Sequence, residues 1–212
     1  MTTAKTRRYD STLRQELAAR TRRTVLDVAS RLFIERGWDG TSMRDIAKEA
    51  GCSVETIYSS VGNKPTLLKE VLDIAVVGDD ADIPLADRPW AHVDTTAPLA
   101  ERIAAGVDAG AAIYQRTAPL RRVLDIAAQG NAELAVLEAK SRQDEHVSRT
   151  ALVGEAAGRP LTDVEAVGLQ SVFSNEIYLV LSERSGWTHE QYKSWAAHAV
   201  VRLLDLHEEQ QP

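Results

Sequence analysis

The chain has 212 residues, 44% of them hydrophobic, which suits a small head joined to a larger body with a substantial core. No apolar run is long enough to span a membrane, and the basic, polar stretch Met1–Arg23 does not read as a secretory signal; with Cys52 as the sole cysteine, an intrachain disulfide framework and a Cys-based zinc cluster are excluded and a cytoplasmic location is expected. The net charge of −6 is the wrong sign for a nucleic-acid binder, but residues 1–64 hold 12 Lys/Arg against 8 Asp/Glu, and the acidic excess lies in the remainder.

In chain order, a basic arm over residues 1–20 precedes an amphipathic helix marked by Val25, Val28, Ala29, Leu32 and Phe33, which share one helical face. Gly37 is its natural stop. Ser42, with Asp45 three residues on, can cap a short second helix that Gly51 ends. Ser53 caps a third, Val54 to about Ser60. Asn63 and Pro65 start a fourth through Leu67, Leu68, Val71, Leu72 and Ala75.

Residues 78–98 hold five Asp and three Pro and read as a loop. Beyond it, breaks at Thr117-Ala118-Pro119, Gly130-Asn131, Gly158-Arg159-Pro160 and Ser185-Gly186 outline helices near 99–116, 119–129, 132–157, 162–184 and 189–207. Thr162 with Glu165 and Thr188 with Gln191 cap the last two. No alternating β pattern or hairpin signal occurs, so the fold class is all-α. The expected domains are the arm 1–20, a helix-turn-helix head 21–65 and a helical body 66–212.

Two short helices joined by a tight turn at Ala50-Gly51-Cys52, braced by a longer helix, form a helix-turn-helix unit. Its second helix enters the major groove of double-stranded DNA. Thr56, Ser59 and Ser60 are short polar side chains suited to that approach, Tyr58 can reach a phosphate, and Lys64 adds charge at a helix start.

The run from Thr41 through Ile46-Ala47-Lys48-Glu49-Ala50-Gly51-Cys52-Ser53 to Thr56 and Tyr58, followed by Lys64 and Leu67-Leu68, resembles the DNA-binding head of the TetR family of transcriptional regulators, whose pattern reads I-A-x-x-A-G-V-S-x-G-T-x-Y-x-x-F-x-x-K-x-x-L. The resemblance is dense over about 45 residues, Val25 to Leu72, and the rest of the chain fits by length and helix layout alone. It implies that Ser42 and Arg44 contact phosphate or base from the second helix. Ser53, Val54, Glu55, Thr56 and Ser60 would face the groove, while Tyr58 and Lys64 grip phosphates. Three residues depart from the pattern: Cys52 for valine, Val61 for an aromatic, and Glu55 for glycine. A carboxylate at 55 repels phosphate, though it could accept from a cytosine amino group; a solvent-facing Glu is the plainer reading.

The resemblance further implies a homodimer and a small-molecule effector pocket in the body. Trp90, Tyr114, Gln115, Asp144, His146 and Tyr178 are the candidate lining residues; Phe173, Ile177, Val180, Trp195, Ala199 and Leu203 are candidates for the dimer interface. Broad apolar faces on the last helices serve a dimer or the monomer's own core equally well. No cofactor is implied. The histidines show no metal-binding spacing, and no catalytic motif occurs, so an enzyme is not expected. The function expected is a repressor released from a pseudopalindromic operator by its effector; the alternative is the same head switched by a protein partner.

Overall fold

A computed structural model describes the chain from Thr3 to Leu206, except residues 80, 82, 85 and 86 and the side chains of residues 3–13 and 89. Among the described residues there is no strand, and no helix is long and apolar enough to cross a membrane. Among the described residues nine α-helices carry the fold: α1 (Thr3–Arg36), α2 (Met43–Ala50), α3 (Val54–Ser60), α4 (Lys64–Val77), α5 (Leu99–Ala128), α6 (Ala132–Ala157), α7 (Asp163–Gly168), α8 (Asn175–Leu179) and α9 (His189–Leu203).

Two hydrophobic cores divide the molecule. The first gathers Leu32 and Phe33 of α1, Ile46 of α2, Ile57 of α3 and Leu67 and Leu68 of α4, all fully buried. It also takes in Leu120, Val123 and Leu124 of α5 and Leu134 of α6, so α4 and the end of α5 complete the head's core. The second core joins Val107, Ala111 and Tyr114 of α5 to Leu169, Phe173, Tyr192, Ala196 and Val200. The helix α5 therefore runs through both cores.

Four expectations need correction. The arm does not stand apart from the first helix, because the backbone is helical from Thr3 onward; the basic side chains expected at Lys5, Arg7 and Arg8 lie outside the described residues. Pro119 does not end a helix: α5 continues through it, at the cost of one backbone N–H. Burial of Ala118 and Leu120 on either side holds the segment against both cores.

The expected single helix over 162–184 is broken, with α7 passing into a 3₁₀ turn (Leu169–Ser171) and α8 starting afresh from a Ser174 cap. Carbonyls released by the break find distant donors. The Tyr192 hydroxyl donates to Val172 O at 3.0 Å, and Arg149 Nη1 donates to Phe173 O at 2.8 Å. The last helix ends at Leu203, short of the expected residue 207, which lies outside the described residues.

The loop 78–98 is organised around Arg88, whose side chain is almost fully buried. Its guanidinium donates to Asp79 Oδ2 at 2.7 Å and to the carbonyls of Ala81 and Ile83 at 3.0 and 3.3 Å.

Candidate nucleic-acid interface and body cavity

The turn between α2 and α3 depends on one left-handed residue. Gly51 has φ +68°, where a side chain is disfavoured, and Cys52 N then donates back to Ala47 O at 3.0 Å. Ser42 and Asp45 form a reciprocal capping box on α2, and Ser53 accepts from Thr56 N to cap α3. With Ile57 buried beneath it, α3 can present only its other face. Cys52, Val54 and Val61 pack against the head core, and burial raises the Cys52 thiol pKa.

On the outer surface, Tyr58 is 54% exposed, and Arg44, Ser53, Glu55 and Ser59 are exposed as well. Thr56 is half-buried beside the Ser53 hydroxyl at 3.1 Å. Ser60 turns back to donate to Thr56 O at 2.7 Å, while its own carbonyl accepts from Arg22 Nε. Ser42 is spent on its cap. Glu55, at the start of α3, is held below the usual carboxylate range by its own backbone N–H and by Ser53. An anion there suits the positive end of a helix, which gives Glu55 a local structural reason.

Lys64 is not free in this state. Its ammonium donates to Trp38 O and lies 3.9 Å from the centre of the Trp38 ring, and burial lowers its pKa. Glu49 joins α2 to α1 through ion pairs with Arg31 and Arg36.

In the body, α4, α5, α6 and the 90–97 segment line a cavity of about 1060 Å³ that is partly open to solvent. Leu72, Val76 and Val77 of α4 form one wall, and Ile113, Leu152 and Phe173 face them from the other elements. Of the six expected lining residues, Trp90, Tyr114 and Asp144 line this cavity. Gln115 does not, being exposed on the outer side of α5. His146 turns to Gln170, with Nδ1 3.2 Å from Nε2. Tyr178 is engaged within the second core, its hydroxyl 3.1 Å from His189 Nδ1 and its ring edge-on to Tyr192.

Sequence reasoning missed the polar floor of the cavity: Thr117, Arg121, Glu145, Arg149 and Asn175. A signal was present for Arg121, which falls on the same helical face as Val107, Ala111, Tyr114 and Ala118. Glu145 and Arg149 lie on α6, whose many charges read as a solvated face.

Of the residues expected at a dimer interface, Phe173 is buried in the molecule's own core, its ring stacked 6.4 Å from Tyr114. Ile177, Trp195, Ala199 and Leu203 are half-buried and Val180 is 39% exposed. Val164 and Val167 of α7 add exposed apolar surface.

Comparison with known proteins assigns the head. Residues 25–71 match the model of the bacterial regulatory proteins of the tetR family. The HTH-type transcriptional regulator AcrR of Shigella flexneri is 40% identical over 58 residues, which are 27% of this chain and 27% of that one. The chain thus aligns with little more than a quarter of that relative's length.

Among solved structures, SCO3833 of Streptomyces coelicolor, a TetR-family member, is 26% identical with a TM-score of 0.52, covering 87% of this chain and 91% of that one. NalD of Pseudomonas aeruginosa, the secondary repressor of the MexAB-OprM efflux pump, is 21% identical with a TM-score of 0.59, covering 91% and 100%. A Mesorhizobium loti protein, 20% identical with a TM-score of 0.63 over 89% and 97%, shares the fold. Residues 25–71 thus carry a helix-turn-helix head of the tetR family of bacterial regulatory proteins, on an all-α architecture that the chain shares with solved TetR-family structures.

Proposed function

We propose that the protein is a homodimeric, cytoplasmic repressor, released from a pseudopalindromic operator when a small molecule fills the body cavity. The observation that carries this reading is the shared role of α4. Its Leu67 and Leu68 are fully buried in the head core, while Leu72, Val76 and Val77 of the same helix wall the cavity. A ligand that alters that wall acts on the element that holds the head. It shifts DNA affinity only by its differential affinity for the two arrangements. The repressor sense is supported by NalD, which shares the fold and is itself a repressor.

On DNA, Arg44 and Tyr58 are the exposed candidates for phosphates, with Ser42, Ser53 and Ser60 nearby and Thr56, Val54 and Glu55 nearest the base edges. Lys64 reaches a phosphate only by leaving Trp38. Two heads must sit about one helical turn, roughly 34 Å, apart to read two half-sites. The apolar strip of Val164, Val167, Val180, Trp195 and Leu203 offers a surface for the partner copy.

The test begins with an operator selected from random duplexes and an affinity titration against salt. Arg44→Ala should weaken binding to all sequences and lower the salt slope by about 1. Thr56→Ala should change the preferred base. An operator affinity that stays the same with the cavity saturated would overturn the release mechanism.

A further inference from the structure

The cavity is apolar except at its floor, and the charges there do not balance. Arg121 of α5 lines the cavity with only 7% of its surface exposed. It makes no hydrogen bond among the described residues, and its nearest carboxylate oxygen, Glu145 Oε2, is 4.0 Å away. Glu145 is already taken. It accepts from the Tyr114 hydroxyl at 2.9 Å, pairs with Arg149 at 3.2 Å and lies 3.5 Å from Asn175 Nδ2.

Arg149 Nε is itself buried without an acceptor. Asp125, one turn further along α5, is paired with Arg142 at 3.3 Å and does not line the cavity. Among the lining residues of the floor there are therefore two guanidinium groups and one carboxylate, with Asp125 acting on Arg121 from outside the cavity while paired with Arg142. A desolvated cation is costly unless paired, and a guanidinium fork is the natural complement of a carboxylate.

From this juxtaposition we infer that the cavity takes a ligand with an apolar body and a single carboxylate, received by the Arg121 guanidinium at the floor. The inference rests on the cavity being the effector site. Thr117, whose hydroxyl lies 2.8 Å from Asn175 Oδ1, stands one helical turn from Arg121 and offers a further polar contact. The acidic lining residues Asp73, Asp144 and Asp108 are exposed, with 61%, 61% and 60% of their side-chain surface accessible, and each is paired with a lysine: Lys69, Lys140 and Lys193. Solvent and these lysines screen them, so the buried Arg121 is the charge that a ligand in the cavity meets. The apolar walls then hold the remainder of the molecule by burial.

Decanoate, decan-1-ol and decylamine share one apolar chain and differ in the head group, so calorimetric titration of each, below its micellar concentration, isolates the floor. Decanoate should bind at least about tenfold tighter than decan-1-ol, with decylamine weakest. Arg121→Gln should bring decanoate down to the decan-1-ol level while leaving decan-1-ol unchanged. Equal binding of the three, tightest binding of decylamine, no binding of decanoate, or a preference that survives Arg121→Gln would each overturn the inference. Should Arg121→Gln fail to fold, judged by circular dichroism, the ranking on the wild-type protein decides alone. Operator affinity is measured in parallel. Decanoate bound at the floor without operator release would sink the release mechanism and leave the ligand class standing. Release by decan-1-ol with no preference for the carboxylate would do the reverse.

Discussion

The head and the body both start helices at side-chain caps, but their interiors are held by different means. Helices α2, α3 and α4 each start at a side-chain cap, from Ser42, Ser53 and Asn63, and close over a filled core. The body holds a partly open cavity, breaks a helix at Val172–Ser174, and satisfies the break with Tyr192 and Arg149 from distant elements. The first scheme is local and rigid, as a surface that must match a DNA groove requires. The second gathers polar groups and open volume in one place, as the proposed effector site requires.

The contrast is tested most strongly by cutting into each core. Phe33→Ala removes a fully buried ring and should cost about 3–5 kcal/mol in chemical denaturation, whereas Leu152→Ala at the cavity wall should cost less than about 2 kcal/mol because its side chain already faces a void. Equal losses would mean that the cavity is filled in solution.

A smaller effect is expected from Tyr192→Phe, which strands the buried Val172 carbonyl and should cost about 1–3 kcal/mol. A loss near zero would show that the helix break does not depend on that long-range bond. On the local side, Ser53→Ala should cost about 1 kcal/mol through the α3 cap and weaken operator binding with it.

The smallest effect concerns Arg159 and Glu165, an exposed pair that ties the Gly158–Pro160 turn to α7. Hydrogen bonds from Arg159 and then from Thr162 lower the Glu165 carboxyl from 4.5 to about 2. Being depressed in the fold, the group contributes fully above its unfolded value near 4.5, and the contribution disappears as the pH falls toward 2. Solvent screening keeps it modest. Glu165→Gln should lower stability modestly at neutral pH, leave it unchanged near pH 2 where the contribution has already gone, and so flatten the acid limb between them; an unaltered profile would dismiss the pair.

What could be read in advance follows the range of each contact along the chain. Caps at Ser42, Ser53, Asn63, Thr162 and Thr188 were legible because each rests on residues three apart. The family likeness was legible because the turn, Tyr58 and Lys64 lie within a short window. The interruption at Val172 was not, since its donors are 20 and 24 residues distant. The continuity of α5 through Pro119 was hidden for a related reason: local chemistry argues for a stop, and packing on two cores overrides it. The engagement of Lys64 by Trp38 spans 26 residues and reverses the simplest view of a waiting phosphate ligand.

The guanidinium of Arg116 on α5 donates to the Ala75 and Val76 carbonyls at 2.8 and 3.0 Å, fastening the last turn of α4 to the body. With that end pinned, α4 is a lever. Its 14 residues make an arm of about 20 Å, so a tilt of about 10° at the pinned end carries the Lys64 end through roughly 3–4 Å. In the proposed homodimer, with its two heads swinging oppositely, that displacement would be doubled. A change too small to disturb either core would therefore put two recognition helices out of step with the pitch of the duplex.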